Sequence, residues 1–198
     1  MGEVLVFQMG LAVVTAATML GGGSGLPKGM LFMESHPPAK AWETYTTSDS
    51  TKRQIQLNPC FRKKAWDGGR IAARTLGYSS EDRMKYEQLV VYKDVRHAKK
   101  AMRGLRAELA RCADVGKGYH RYRYFTKPLA VGDEGLRAGG RFFENGEHAV
   151  VVRRGATVYV VGESGFPTKS LPIKRFRGLI AQAEKMTVKV CDLPRAAC

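Results

Sequence analysis

From Tyr86 to Tyr92 the chain reads Tyr-Glu-Gln-Leu-Val-Val-Tyr, a strand-length run of β-branched and aromatic side chains. Asp94 follows as an N-cap, and behind it Val95, Ala98, Met102, Leu105, Leu109 and Cys112 return at steps of three and four. That spacing predicts a helix over 95–112, with Arg96, Lys99, Lys100, Arg103 and Arg106 on the side away from its apolar stripe. From His120 to Lys127, Arg121 and Arg123 alternate with Tyr122 and Tyr124, the period-two pattern of a strand with one wet face. Leu136 to Phe143 and His148 to Arg153 flank Asn145-Gly146, which predicts a hairpin, and Arg154-Gly155 leads to a further strand at Thr157 to Val161. After a loop from Gly162 to Leu171, Pro172 opens a second helix whose buried stripe is Ile173, Phe176, Leu179, Ile180, Ala183, Met186 and Val190. The order strand, helix, four strands, helix fits an α+β class: a mostly antiparallel sheet of about five strands with two main helices packed on one face.

Ahead of this pattern, Lys28 to Pro59 has little periodicity and reads as a loop-rich lead-in, packed because Leu31, Phe32, Trp42 and Tyr45 would otherwise be stranded in water. Earlier still, Val4 to Leu20 is a run of seventeen uncharged residues followed by Gly21-Gly22-Gly23. That is an apolar segment with a small-residue exit, so residues 1–27 are expected to be a signal peptide or an N-terminal membrane anchor. Glu3 is the only charge before the run, where an export signal ordinarily carries lysine or arginine. Residues 28–198 are then a single α+β extracytoplasmic domain, and 44% hydrophobic residues in 198 suffice for one core.

Export changes the meaning of the sulfur. Cys60, Cys112, Cys191 and Cys198 form an even set without a C-x-x-C pair or zinc-like spacing, so disulfides are expected and a metal is not. Of the three possible pairings, Cys60 with Cys112 ties the lead-in to the end of the first helix and leaves Cys191 with Cys198 around Pro194.

Charge adds a class of partner. Thirty-three Lys and Arg against 18 Asp and Glu give a net charge of +15, which attracts any polyanion within a Debye length. The cations of the first helix and Arg121 and Arg123 are the candidate anion-binding residues, for an anionic lipid or wall polymer of the envelope. Interleaved Arg and Tyr also suit single-stranded nucleic acid, but on a strand the two types fall on opposite faces, which makes nucleic acid the lesser expectation and a cytosolic nucleic-acid-binding protein the alternative.

The stretches Glu87-Gln88-Leu89-Val90-Val91-Tyr92, Leu105-Arg106 to Leu109 with Cys112, Gly132-Asp133-Glu134, Val150-Val151-Val152-Arg153-Arg154-Gly155 and Val190-Cys191-Asp192-Leu193-Pro194 resemble a family of uncharacterised secreted actinobacterial proteins. More distantly the chain looks like the PknH-type extracellular sensor domain of actinobacterial Ser/Thr kinases. The resemblance implies an α+β fold, disulfides and a cleft for an unknown ligand, and it supplies no chemistry.

No catalytic constellation is visible. His36, His97, His120 and His148 have no acid or nucleophile at a telling spacing, and no P-loop, G-x-S-x-G or H-E-x-x-H occurs. Asp133-Glu134 is the one suggestive carboxylate pair, and adjacent residues rarely point into one site, so a turn or cap is the expected role. No enzyme activity, cofactor or metal is expected.

Overall fold

Eight strands, not about five, form one antiparallel sheet in the computed structural model of the chain, which describes residues 25–57, 60 and 64–198. Of the leader expected over residues 1–27, residues 1–24 lie outside the described residues. The strands are β1 (Thr44–Ser48), β2 (Arg70–Ser79), β3 (Met84–Tyr92), β4 (Asp114–Val115), β5 (Tyr122–Leu129), β6 (Glu134–Phe142), β7 (Asn145–Arg154) and β8 (Thr157–Ser164), in the order β1-β2-β3-β8-β7-β6-β5-β4. Helix α1 (Val95–Arg111) carries the chain from β3 to the far edge, and the meander from β4 to β8 returns to pair with β3. Helix α2 (Arg177–Lys189) follows the last strand.

The two helices lie on opposite faces, which corrects the expectation that they share one. Tyr86, Val90, Ala149, Val151, Val158 and Val160 pack with Ala98, Met102, Leu105 and Leu109 of α1. Leu89, Val91, Val150, Val152, Tyr159 and Val161 pack with Phe176 and with Leu179, Ala183 and Met186 of α2. The reason was present in the continuous apolar runs at Leu89–Tyr92, Ala149–Val152 and Val158–Val161: a strand apolar at every position needs cover on both sides. Covering only one would leave half of these side chains in water, at about 1.5–3 kcal/mol each.

The added strands are those whose residues do not advertise a strand. β2 carries Arg70, two alanines, Arg74 and Gly77, poor in β-formers, and is held by what its polar side chains reach. Arg74 is buried and donates to Asp49 Oδ1 at 2.6 Å, to Glu34 Oε1 at 3.1 Å, and to the carbonyls of Leu26 and Pro27 at 2.9 and 2.8 Å. Leu26 and Pro27, the last residues of the expected leader, thus pack with the domain, and Leu26 is buried. β1 is an exposed edge of Thr, Tyr and Ser, and β4 is two residues long, too short for a period.

The motif Glu87-Gln88 explains how the lead-in is fixed. Glu87, wholly buried, accepts the amides of Phe32 and Met33 at 3.0 and 2.8 Å and the Tyr159 hydroxyl at 2.6 Å. Gln88 points to the other face, where its amide donates to the Gln54 carbonyl at 3.0 Å and accepts from the Gln56 N–H at 3.1 Å. One strand therefore staples the lead-in on both sides of the sheet.

Turn and helix ends differ in detail from the pattern. Phe142 pairs with Asn145, so Phe143 and Glu144 form the β6–β7 turn, and Asn145-Gly146 lies inside β7. Gly146 is needed there for close approach, because a Cβ would stand 2.2 Å from the Gly165 carbonyl oxygen. The second helix begins at Arg177 after a 3-10 turn at Ile173–Arg175, and Ile173 is exposed rather than buried.

Candidate functional site

Asp94 starts α1 by accepting the His97 amide at 2.8 Å, and this register fixes what faces water. Arg96, Lys99, Lys100 and Arg103 are all exposed, and among the described residues none of them makes an ion pair. Arg106 stands on the same side but is tied to Glu134 Oε2 at 2.7 Å. The helix contains one acid, Glu108, which is buried and taken up by Arg111 and, at 3.8 Å, by Lys64. The outer surface of α1 is therefore a cationic ridge with no acid on it.

This ridge works against the helix that carries it. The positive end of the macrodipole meets Arg96, and the Asp94 cap is the one acid at that end, the first turn itself holding none. The pairs 96/99, 96/100, 99/103 and 100/103 are like charges at three- and four-residue spacing, each unfavourable by about 0.2–0.5 kcal/mol.

Arg121 and Arg123 do not join it. Tyr122 and Tyr124 face the α1 side of the core, so the two arginines stand on the other side of the sheet, where Phe125 packs with the α2 cluster. Arg121 is engaged with Asp114 at 2.7 Å, and Arg123 is exposed and makes no ion pair among the described residues. The tyrosine rings stack on each other at 5.1 Å, and Tyr124 is buried, so neither offers a free face beside the arginines.

Asp133 and Glu134 form a clamp. Asp133 accepts from the Gly155 amide at 2.8 Å, from Arg153 at 2.7 Å and from Arg154 at 2.9 Å, while Glu134 accepts from Arg153 at 2.6 Å. Burial pushes the Asp133 carboxyl up, and the Gly155 N–H with the two guanidiniums outweighs it and holds it below the usual range. These contacts bind the β7–β8 turn to β6.

The sulfurs pair as Cys60 with Cys112 and Cys191 with Cys198. Around the first bond, Trp66 packs on Gly104 and Lys64 sits near Glu108, so Cys60, Lys64 and Trp66 are each fastened to α1 or its C-cap. Among the described residues Cys60, Glu108 and Cys112 have the spacing of a metal site, and the disulfide uses both sulfurs. The second bond keeps the C-terminal tail against the β7–β8 turn, where the Ala156 amide donates to the Ala196 carbonyl at 2.5 Å.

No protein-family model matches the chain, and no curated protein matches it in sequence. Among solved structures it resembles the extracellular domain of PknH from Mycobacterium tuberculosis, at 14% identity over 75% of this chain and 76% of that one, with a TM-score of 0.43. The likeness is a distant structural one.

One group the sequence did not reveal is Glu147, buried on the α1 side of the sheet. The hydroxyls of Tyr86 and Tyr122 donate to it at 3.1 and 3.4 Å, and no cation pairs with it among the described residues. Burial raises its carboxyl to about 7 against the lowering effect of the two phenols. The signal in sequence was indirect: Gly140 and Gly162 are the positions where a Cβ would strike Tyr122 and Tyr86.

Proposed function

We propose that the chain is an exported domain of the cell envelope that docks on an anionic envelope component through the outer face of α1, serving as a binding or sensing module. The compartment reading is supported by two disulfides, which persist where thiols are kept oxidised. The docking reading rests on one observation: Arg96, Lys99, Lys100 and Arg103 stand together, with no ion pair among the described residues, at like-charge spacings that disfavour their own helix. A ridge assembled at the expense of its own helix has its use outside the fold.

The test is retention of the full chain on anionic vesicles and on an immobilised acidic polysaccharide, with neutral vesicles as control. Retention on either anionic matrix should fall steeply between about 50 and about 200 mM salt, and the variant with Arg96, Lys99, Lys100 and Arg103 each changed to Gln should lose it. Equal retention of that variant would overturn the reading. For the compartment, protein recovered from its native cell should take up no thiol reagent before reduction, and four labelled cysteines would refute export.

A further inference from the structure

On the α2 side of the sheet, away from the ridge, the 3-10 turn at Phe32–Ser35 and the edge strand β1 meet the ends of β2 and β3. A 260 Å³ pocket opens there, lined by Met33, His36, Tyr45, Tyr78, Arg83 and Lys85. The His36 ring stacks on Tyr45 with centroids 3.6 Å apart and planes 6° from parallel. Tyr45 stands 5.0 Å from Tyr78 at 49°, so two phenol rings make an angled wall rather than a flat slot. Tyr78 is held in place by donating its hydroxyl to Glu43 at 3.0 Å. His36 Nδ1 donates to the Pro37 carbonyl at 2.8 Å, which leaves Nε2 free of that bond.

The charges of the lining are of one sign. Arg83 is exposed and reaches Asp82 only at 3.6 Å, Lys85 is exposed and makes no ion pair among the described residues, and among those residues no acid lines the pocket itself, the nearby Glu43 being engaged by the Tyr78 hydroxyl. The lining thus combines two phenols and an imidazole with two cations. The volume lies below the roughly 300–1,000 Å³ of drug-sized sites, so it suits one small unit.

We propose that this pocket binds a single acidic sugar unit, its pyranose face on Tyr45 and Tyr78 and its carboxylate or phosphate on Arg83 and Lys85. The axial C–H bonds of a pyranose carry partial positive charge and lie well on the negative face of a phenol ring. A puckered ring fits an angled wall, where a planar base would want parallel faces. The hydroxyls of such a sugar find partners in the Tyr45 hydroxyl and His36 Nε2, and its anion finds charge-assisted donors in the guanidinium and ammonium. The site is independent of the α1 ridge and does not rest on that docking reading.

The experiment is titration of the full chain, followed by NMR, with methyl glucuronide, methyl glucoside and inorganic phosphate. Methyl glucuronide should give saturable shifts at Tyr45, Tyr78 and His36, with methyl glucoside at least about tenfold weaker because it lacks the anion. Tyr45→Ala and the pair Arg83→Gln with Lys85→Gln should each weaken the glucuronide by about tenfold or more, while the four-Gln ridge variant binds it as the parent does. Tyr45 lies on an edge strand, and unchanged amide spectra elsewhere identify a folded variant; Tyr45→Phe, which keeps the ring, should retain most binding. Absence of saturable shifts overturns the proposal. So does phosphate binding as well as the glucuronide with indifference to Tyr45→Ala, which marks a plain anion cradle.

Discussion

Glu147 is a buried carboxyl whose partners among the described residues are two hydroxyls and no cation, and burial therefore holds its proton more tightly in the folded chain than in the unfolded one. Its folded value of about 7 stands above the ordinary glutamate value of 4.5, so the stability it contributes is full below about 4.5 and is lost as pH rises through 7. The loss is on the order of 3 kcal/mol for a shift of that size. Glu147→Gln keeps a group that can bond both phenols and removes the charge. Urea unfolding at pH 5 and pH 8 should show the variant gaining on the parent at the higher pH, and parallel behaviour of the two would contradict this account. Taking the difference between the two proteins cancels other titrating groups such as His148, whose burial lowers its pKa and works in the opposite direction. Nothing in the local sequence of Glu147 distinguishes it from a surface glutamate, because its environment is assembled from Tyr86, Tyr122, Gly140 and Gly162 on four other strands.

At the scale of elements, α1 was legible because one apolar stripe, one cap and one cationic face repeat over seventeen residues. β2 was not, because Arg70, Ala72, Ala73 and Gly77 carry no strand preference and the strand depends on partners distant in sequence. The Asn145-Gly146 pair misplaced its turn by two residues, since the glycine is required by the Gly165 carbonyl and not by a positive φ. Gly104 shows the same conflict of local and tertiary preference. In an isolated helix Gly→Ala gains about 1 kcal/mol, but here the new Cβ would lie 2.2 Å from the Trp66 ring. Gly104→Ala should therefore lower the thermal midpoint, with a smaller loss when Trp66→Ala is added. A raised midpoint in the single variant would show that Trp66 yields freely.

The whole molecule is a sheet between two helices, with both disulfides holding segments that the sheet does not. The α+β class was readable from the order of elements; the opposite placement of the helices follows from strands apolar on both faces. In the chain-entropy picture, removing Cys60–Cys112, which spans 52 residues, costs about 4 kcal/mol, and removing Cys191–Cys198, which spans seven, about 2 kcal/mol. Denaturant unfolding of the two Cys→Ser double variants should rank them so, and the reverse order would show that the short clasp matters through the β7–β8 turn it holds.

The cationic ridge joins the scales, because its residues oppose the helix and face away from the body of the protein. Arg96→Glu combined with Arg103→Glu adds an acid to the first turn of α1 beside the Asp94 cap and converts all four like pairs, 96/99, 96/100, 99/103 and 100/103, into opposite ones. The direct measurement is the stability and the anionic-matrix retention of this one variant beside the parent. A gain of about 1 kcal/mol or more together with lost retention is the predicted result. A destabilised variant that is retained as tightly as the parent would contradict the claim that α1 carries its charge for docking.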